Sequence, residues 1–107
     1  MMMSSMWQRR RRRGRRGRIP KSFRLGITPA ATSFVPSPSS DSDSISIEMA
    51  ELEAFRLVDL EGLSQEEAGE RMGVSRGTIW RLVQSARRKT ALAISEGRPI
   101  NISTVTR

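Results

Sequence analysis

Arginine is the residue type with the clearest chemical potential in this chain, and it is concentrated in two places. Between positions 76 and 89, Arg76, Arg81, Arg87, Arg88 and Lys89 are interspersed with apolar residues. A second group lies near the N-terminus and comprises Arg9, Arg10, Arg11, Arg12, Arg13, Arg15, Arg16 and Arg18. Guanidinium groups donate paired hydrogen bonds to phosphates and to base edges. Both groups therefore indicate a polyanionic partner.

The composition excludes most other kinds of site. The chain has no cysteine and no histidine, which removes disulfides, thiolate zinc sites and nucleophiles or bases of these two types. The remaining carboxylates and hydroxyls form no spaced motif with a positioned base. We therefore predict that the protein is not an enzyme and has no metal site and no cofactor.

The net charge of +8 is distributed unevenly. Residues 1–40 carry ten Lys/Arg and no acid, whereas residues 41–107 carry nine Lys/Arg against eleven Asp/Glu, which gives +10 and −2. This asymmetry suggests a nucleic acid or another anionic surface as the partner of the tail. No apolar run approaches the ~18 residues of a membrane span, and the N-terminus lacks the apolar stretch of a secretory signal. We expect no membrane partner and a cytoplasmic location.

The segment that follows Ser75 divides into two faces when it is projected at about 100° per residue. One arc is apolar and contains Ile79, Leu82, Val83, Ala86, Thr90 and Ala93. The opposite arc contains Arg76, Gly77, Trp80, Arg81, Gln84, Arg87 and Arg88. Ser75 is the predicted N-cap, and Gly97 with Pro99 ends the pattern. The sequence predicts a helix over 76–96 that buries one face and presents the other to a polyanion.

A second helix is predicted immediately before it. Ser64 and Glu67 form a capping box, so this helix begins at Gln65, and Gly73 ends it. The link of residues 72–75 has the length and glycine content of the turn in a helix-turn-helix. Ala68 supplies a small side chain that allows the two helices to approach closely.

A first helix is predicted over 48–60 because this stretch is rich in helix-forming residues and ends at Gly62. Leu52 and Phe55 lie off the main apolar arc of this helix. A helix that is apolar on more than one side is covered twice. The second cover could be the preceding arm or a second copy of the chain.

These patterns predict an all-α fold, a three-helix helix-turn-helix domain with N-terminal extensions. The expected organisation is a disordered Arg-rich tail (1–18), an extended Pro/Ser-rich arm and linker (19–43), the helix-turn-helix domain (44–102) and a C-terminal tail (103–107). Two short alternations leave other options open. Residues 45–47 could form a strand edge or enter the first helix, and residues 98–107 could pair as a short strand.

The chain also resembles a known family. The residues that carry the resemblance are ELEAFRLVDLEGLSQEEA (51–68), RMGVSR (71–76), ARRK (86–89) and the basic, Pro-rich lead-in from Gly17 to Pro36. They are similar to a small uncharacterised family of predicted DNA-binding proteins of bacteria and archaea, whose helix-turn-helix resembles region 4 of primary sigma factors. The resemblance covers about 17–102 and implies DNA binding by a winged or sigma region 4-like domain. The polar and acidic segment 37–43 departs from the family, in which this segment is more apolar.

The second helix would then lie across the DNA backbone, with the N-terminal part of the third in the major groove. The base-proximal candidates are Ser75, Arg76, Gly77, Thr78, Trp80, Arg81 and Gln84, because arginine pairs with guanine and glutamine with adenine. The phosphate candidates are Arg87, Arg88, Lys89 and the eight arginines of 9–18. Gly77 either permits close approach to DNA or is a tolerated surface glycine. Trp80 either faces DNA or is covered by Phe23 or Phe34.

The leading interpretation is a transcriptional regulator that binds double-stranded DNA. One alternative is a sigma region 4-like interaction module that contacts RNA polymerase or another protein, which the acidic residues Glu66, Glu67 and Glu70 would suit. Another is a non-specific nucleic-acid binder, directed at RNA through the arginine tail. A homodimer is compatible with each of these interpretations.

Overall fold

The computed structural model describes residues 22–39 and 41–103. Three helices and three short strands follow one another in this part of the chain. In chain order they are β1 (Ser33–Phe34), β2 (Ile45–Glu48), α1 (Met49–Phe55), α2 (Gln65–Met72), α3 (Arg76–Glu96) and β3 (Ile100–Ser103). After α1 the chain continues without a break as a π-helical segment, Arg56–Leu60.

The prediction of an all-α fold is wrong, because the three strands form one mixed sheet. Strand β3 lies in the centre, antiparallel to β1 and parallel to β2. Ile45, Ile47 and Ile102 point inwards and are buried, which gives this sheet an apolar side. The strands have two to four residues each, so the alternation in β2 and β3 is too short to distinguish a strand from other structures, and β1 is too short to show any alternation. The domain is thus a small α/β fold, with strands at both segments that the sequence left open.

The boundaries predicted for α2 and α3 are confirmed. Both bonds of the capping box between Ser64 and Glu67 are present at 2.9 and 3.0 Å. The Ser75 hydroxyl accepts a hydrogen bond from the Thr78 amide at 3.1 Å. Gly73 and Gly97 close the two helices in the left-handed conformation, with φ of 73° and 63°. These signals are local, so they can be recognised without knowledge of the tertiary fold.

The core lies where α1, α2 and α3 meet. Leu57, Met72 and Ile79 are its largest fully buried side chains. The face of α3 predicted to be apolar is the face that it buries. Ala68 and Ala86 are completely buried as well, which brings the helix backbones close together. Tight packing of this kind fixes the orientation of α3 relative to the helices it packs against.

Helix α1 is flanked on two sides, as its scattered apolar residues predict. Ala50 and Ala54 face the core, whereas Leu52 and Phe55 line a groove between α1 and the arm. This arm groove has a volume of about 520 Å³ and is also lined by Leu25, Ile27, Phe34 and Leu60. Across the parts of the chain that the structure describes, no helix is both long and apolar enough to span a membrane.

Candidate nucleic-acid interface

The turn between α2 and α3 packs against α2 at Gly69. The Gly69 carbonyl accepts hydrogen bonds from the Gly73 and Val74 amides at 2.8 and 2.9 Å. A Cβ at position 69 would lie 2.7 Å from the Val74 carbonyl oxygen, which is closer than Cβ atoms come to neighbouring atoms in real proteins. The sequence predicted the close approach at Ala68, and the role of its neighbour was missed. A glycine in a helix interior is disfavoured unless packing requires it, and this is the signal that could have identified Gly69.

Arg24 of the arm lies against the same turn. Its amide donates to the Met72 carbonyl at 2.9 Å, and its guanidinium donates to the carbonyls of Arg71 at 3.1 Å and Glu70 at 2.7 Å. The last carbonyls of a helix have no partner within the helix and carry its negative dipole end. Arg24 therefore caps α2 and fixes the arm to the turn. The two carbonyls that accept from the guanidinium lie 46 and 47 residues further along the chain. No local sequence pattern reveals such a contact.

Lys89, one of the predicted phosphate contacts, is engaged within the protein. Its Nζ atom lies 2.8 and 3.1 Å from the two carboxylate oxygens of Glu51 and 2.8 Å from the Ser46 carbonyl oxygen. The Ser85 hydroxyl donates to the same carboxylate. Glu51 is buried, and a buried carboxylate requires a compensating charge and hydrogen bonds. Lys89 and Ser85 thus fix α3 to α1.

Arg87, another predicted phosphate contact, forms a two-point ion pair. Its Nε and terminal nitrogen lie 2.9 and 2.7 Å from the two oxygens of Asp59. The hydrogen bonds that Arg87 donates hold the pKa of the Asp59 carboxyl below its usual range. The same bonds raise the pKa of the Arg87 guanidinium. About half of the Arg87 side chain remains exposed. A phosphate could therefore reach this guanidinium in competition with Asp59.

Three other arginines of α3 are exposed and have no carboxylate partner in residues 22–39 and 41–103: Arg76, Arg81 and Arg88. We call these three residues the cationic face. The Arg81 guanidinium lies 3.5 Å from the Thr78 hydroxyl oxygen. Arg71, at the end of α2, is likewise exposed and outside any ion pair of the described chain. It was not among the predicted site residues, although its position just before the turn places it beside α3.

Two predicted base-proximal hydroxyls serve the N-terminus of α3. The Ser75 hydroxyl caps the Thr78 amide and lies 2.9 Å from the Thr78 hydroxyl. A Cβ at position 77 would lie 3.9 Å from the Ser75 hydroxyl oxygen, with nothing nearer beyond its own stretch of helix. The fold therefore does not require glycine at position 77. Its surface is open to whatever approaches the first turn of α3.

Trp80 and Gln84 follow on the same side of the helix. The indole of Trp80 is 51% exposed, and Gln84 is half-buried. Phe23 packs against the core, and Phe34 lines the arm groove. An exposed indole can stack on a base or contact a thymine methyl group.

The arginines of the tail, Arg9 to Arg18, lie outside the described residues, and their role in binding stays a prediction. Within the described ranges, no cluster of three or more acidic side chains could hold a metal ion.

Relatives of the chain occur among proteins of archaea. It is 43% identical over 88 residues to a UPF0251 protein of Archaeoglobus fulgidus, which covers 82% of this chain and 84% of the relative. It is 47% identical over 89 residues to a UPF0251 protein of Methanosarcina acetivorans, with 81% and 80% covered. A UPF0251 protein of Pyrococcus furiosus is 49% identical over 90 residues, with 81% and 83% covered. No solved structure matches the chain significantly. A family model described as "Protein of unknown function DUF134" matches residues 8–105, and the chain belongs to this family.

Proposed function

We propose that this protein is a transcriptional regulator that binds double-stranded DNA, with α3 in the major groove and α2 across the backbone. The observation that carries the proposal is the cationic face. Arg87 and Lys89 on the same helix are paired with carboxylates, whereas Arg76, Arg81 and Arg88 are exposed without an ion-pair partner among the described residues. Unpaired cations on one side of a helix that follows a short turn match the requirements of groove insertion.

The position of each residue along α3 suggests its role. Arg76 and Arg81 lie in the first two turns, where recognition helices contact base edges. Arg88 lies further along the helix and is assigned to a phosphate. Gly77 leaves room for the DNA to approach the helix backbone. The N-terminal end of α3 adds a partial positive charge from its unpaired amides.

The decisive experiment starts from a DNA site selected from a random library. Binding of the wild type, Arg76→Ala and Arg88→Ala is then measured on this site and on its single-base substitutions at one salt concentration. Arg76→Ala should lose about 1–3 kcal/mol of discrimination at one base pair. Arg88→Ala should weaken binding to all sequences alike. Duplex and single-stranded RNA serve as competitors, and preference for RNA would favour the non-specific alternative.

The Arg76 and Arg88 side chains are exposed. Neither alanine substitution should therefore change the melting temperature appreciably. An Arg76→Ala variant with an unaltered preference at every base pair would contradict insertion of α3 into the groove.

The arginine tail is proposed to contact phosphates without reading the sequence. Deleting residues 1–18 should therefore weaken binding to all DNA sequences and flatten its salt dependence, by about 0.9 in the log–log slope for each phosphate that the tail neutralises. The ranking of base preferences should remain the same. If the deletion abolished discrimination while the salt slope stayed constant, the tail itself would read the sequence, for example in the minor groove.

A second candidate function is a module that contacts the transcription machinery through protein surfaces. It is favoured by Glu66 and Glu70, which are exposed on α2 and form no ion pair with any described residue. These carboxylates would repel phosphates but attract a basic protein surface. The Glu66→Ala/Glu70→Ala double variant distinguishes the two functions. A DNA-binding regulator should bind DNA as well or better after this change, whereas an interaction module should lose its protein partner.

A further inference from the structure

The arm groove and its rim form a large exposed apolar surface. The exposed large hydrophobic residues that line this groove are Leu25 (40%), Ile27 (54%), Phe34 (58%) and Leu60 (76%). If a fully exposed large side chain presents ~200 Å², the middle of the range for aromatic residues, these four residues expose about 450 Å². Monomers rarely present more in one patch, and a protomer buries ~800 Å² in a standard interface. The patch alone thus accounts for about half of one side of such an interface.

The charged groups at this groove are already neutralised within the chain. The buried Glu53 carboxylate accepts hydrogen bonds from the Gly26 amide at 2.8 Å and from two nitrogens of Arg56 at 2.8 and 3.2 Å. Arg56 also pairs with Glu61 at 3.1 Å, and Asp59 pairs with Arg87. A nucleic acid or a strongly charged protein would have to displace an existing ion pair or hydrogen bond to engage these groups. An apolar surface whose own charges are paired can meet an identical surface without repulsion between like charges.

The shape of the patch is also suited to self-association. It combines a groove of about 520 Å³ with protruding side chains, of which Leu60 is the most exposed. In a two-fold dimer each copy offers the same patch, so a side chain of one copy can enter the groove of the other. A small ligand in the groove would leave the outer part of Leu60 in water.

We infer that a second copy of this chain docks on the arm groove, which makes the protein a two-fold homodimer. The groove-lining side of α1 carries Leu52 and Phe55, whereas its core side carries Ala50 and Ala54. Helix α3 packs on the core side, where Glu51 meets Lys89. The dimer therefore leaves the cationic faces of both copies accessible. The inference is independent of the proposed function, because it rests on the patch and not on DNA.

The experiment measures the mass of the nuclease-treated full-length protein by sedimentation equilibrium over a range of concentrations. At about 0.5 M salt, association through nucleic acid bound to the tail is screened, whereas an apolar interface persists. The wild type should change with concentration from the 12.0 kDa monomer to a species of twice that mass. Leu60→Glu and Phe34→Glu should each raise the dimer dissociation constant at least roughly tenfold.

Ile94→Glu provides the matched control, because Ile94 has the same 76% exposure as Leu60 but lies on α3, outside the groove. It should leave the dissociation constant unchanged. Circular dichroism and melting temperature verify that all three variants fold. The inference is overturned if the wild type stays monomeric throughout, if both patch variants dimerise like the wild type, or if Ile94→Glu weakens the dimer as much as they do.

Discussion

Gly69 in α2 and Gly77 in α3 allow the same glycine-to-alanine substitution to be tested in a crowded and in an open position. Both lie in helices, where alanine is favoured over glycine by about 0.5–1 kcal/mol. At Gly77 a Cβ meets nothing nearer than 3.9 Å, whereas at Gly69 it comes within 2.7 Å of the Val74 carbonyl oxygen. The same methyl group should therefore stabilise the protein at one position and destabilise it at the other.

The contact at Gly69 cannot relax cheaply, because the opposing atom belongs to the backbone. Moving the Val74 carbonyl away disturbs the turn, in which the Gly73 and Val74 amides both donate to Gly69. Overpacking of this kind costs about 1–3 kcal/mol, which exceeds the gain in helix propensity. For a domain of this size, 1 kcal/mol corresponds to about 4–8 °C. We expect Gly69→Ala to lower the melting temperature by roughly 5–15 °C and Gly77→Ala to raise it by a few degrees.

Thermal denaturation followed by circular dichroism measures both variants, with urea titrations to verify that the slope of unfolding is unchanged. A Gly69→Ala protein as stable as the wild type would refute the close packing of the turn against α2. DNA binding adds a second measurement. Gly77→Ala retains every charge, so weaker DNA binding by this more stable variant would show that the backbone of α3 approaches the DNA closely.

Two further predictions concern the ion pairs of α3. Lys89→Met should lower the free energy of unfolding by about 3–5 kcal/mol, because it leaves the buried Glu51 carboxylate without its counter-charge. Arg88→Met, one position earlier on the exposed face, should leave the free energy of unfolding in urea nearly unchanged. Equal losses in the two variants would show that Lys89 has no special structural role. Because the pKa of Asp59 is lowered by Arg87, the stabilisation from this pair is present at neutral pH and lost as the pH falls below about 4. Asp59→Asn should therefore flatten the acid side of the melting temperature profile, and an unchanged profile would contradict this role.

The sequence defined α2 and α3 well because the signals for their ends lie within a few residues of each end. Ser64 with Glu67, and Ser75 with the amides that follow it, need no tertiary partner to be recognised. The burial of one face of α3 followed from its periodicity. The sheet was missed because β1 has only two residues, and its partner β3 lies beyond all three helices. The alternations at 45–47 and 98–107 left a strand open in β2 and β3, but nothing local shows that these segments pair with each other or with β1.

The sequence predicted which face of α3 would be exposed. It did not predict which of the cations on this helix pair with carboxylates of the same chain. Lys89 was assigned to phosphate from its type, although at about 220° from Arg76 it lies beside the apolar arc, which is a signal of an internal role. Its partner Glu51 lies 38 residues away, so the ion pair itself could not be read from the sequence. The same holds for Arg24, whose role as a cap depends on how the arm folds over the turn.

The central position of β3 has a consequence for the order of folding. Both of its neighbours, β1 and β2, precede every helix in the chain, whereas β3 follows all of them. Local helical contacts form faster than pairings between strands that are distant in the sequence. We therefore expect the helix pair that carries the cationic face to assemble first. The arm is held on its sheet side only when β3 pairs with Ser33 and Phe34. The arm groove is therefore completed last during folding.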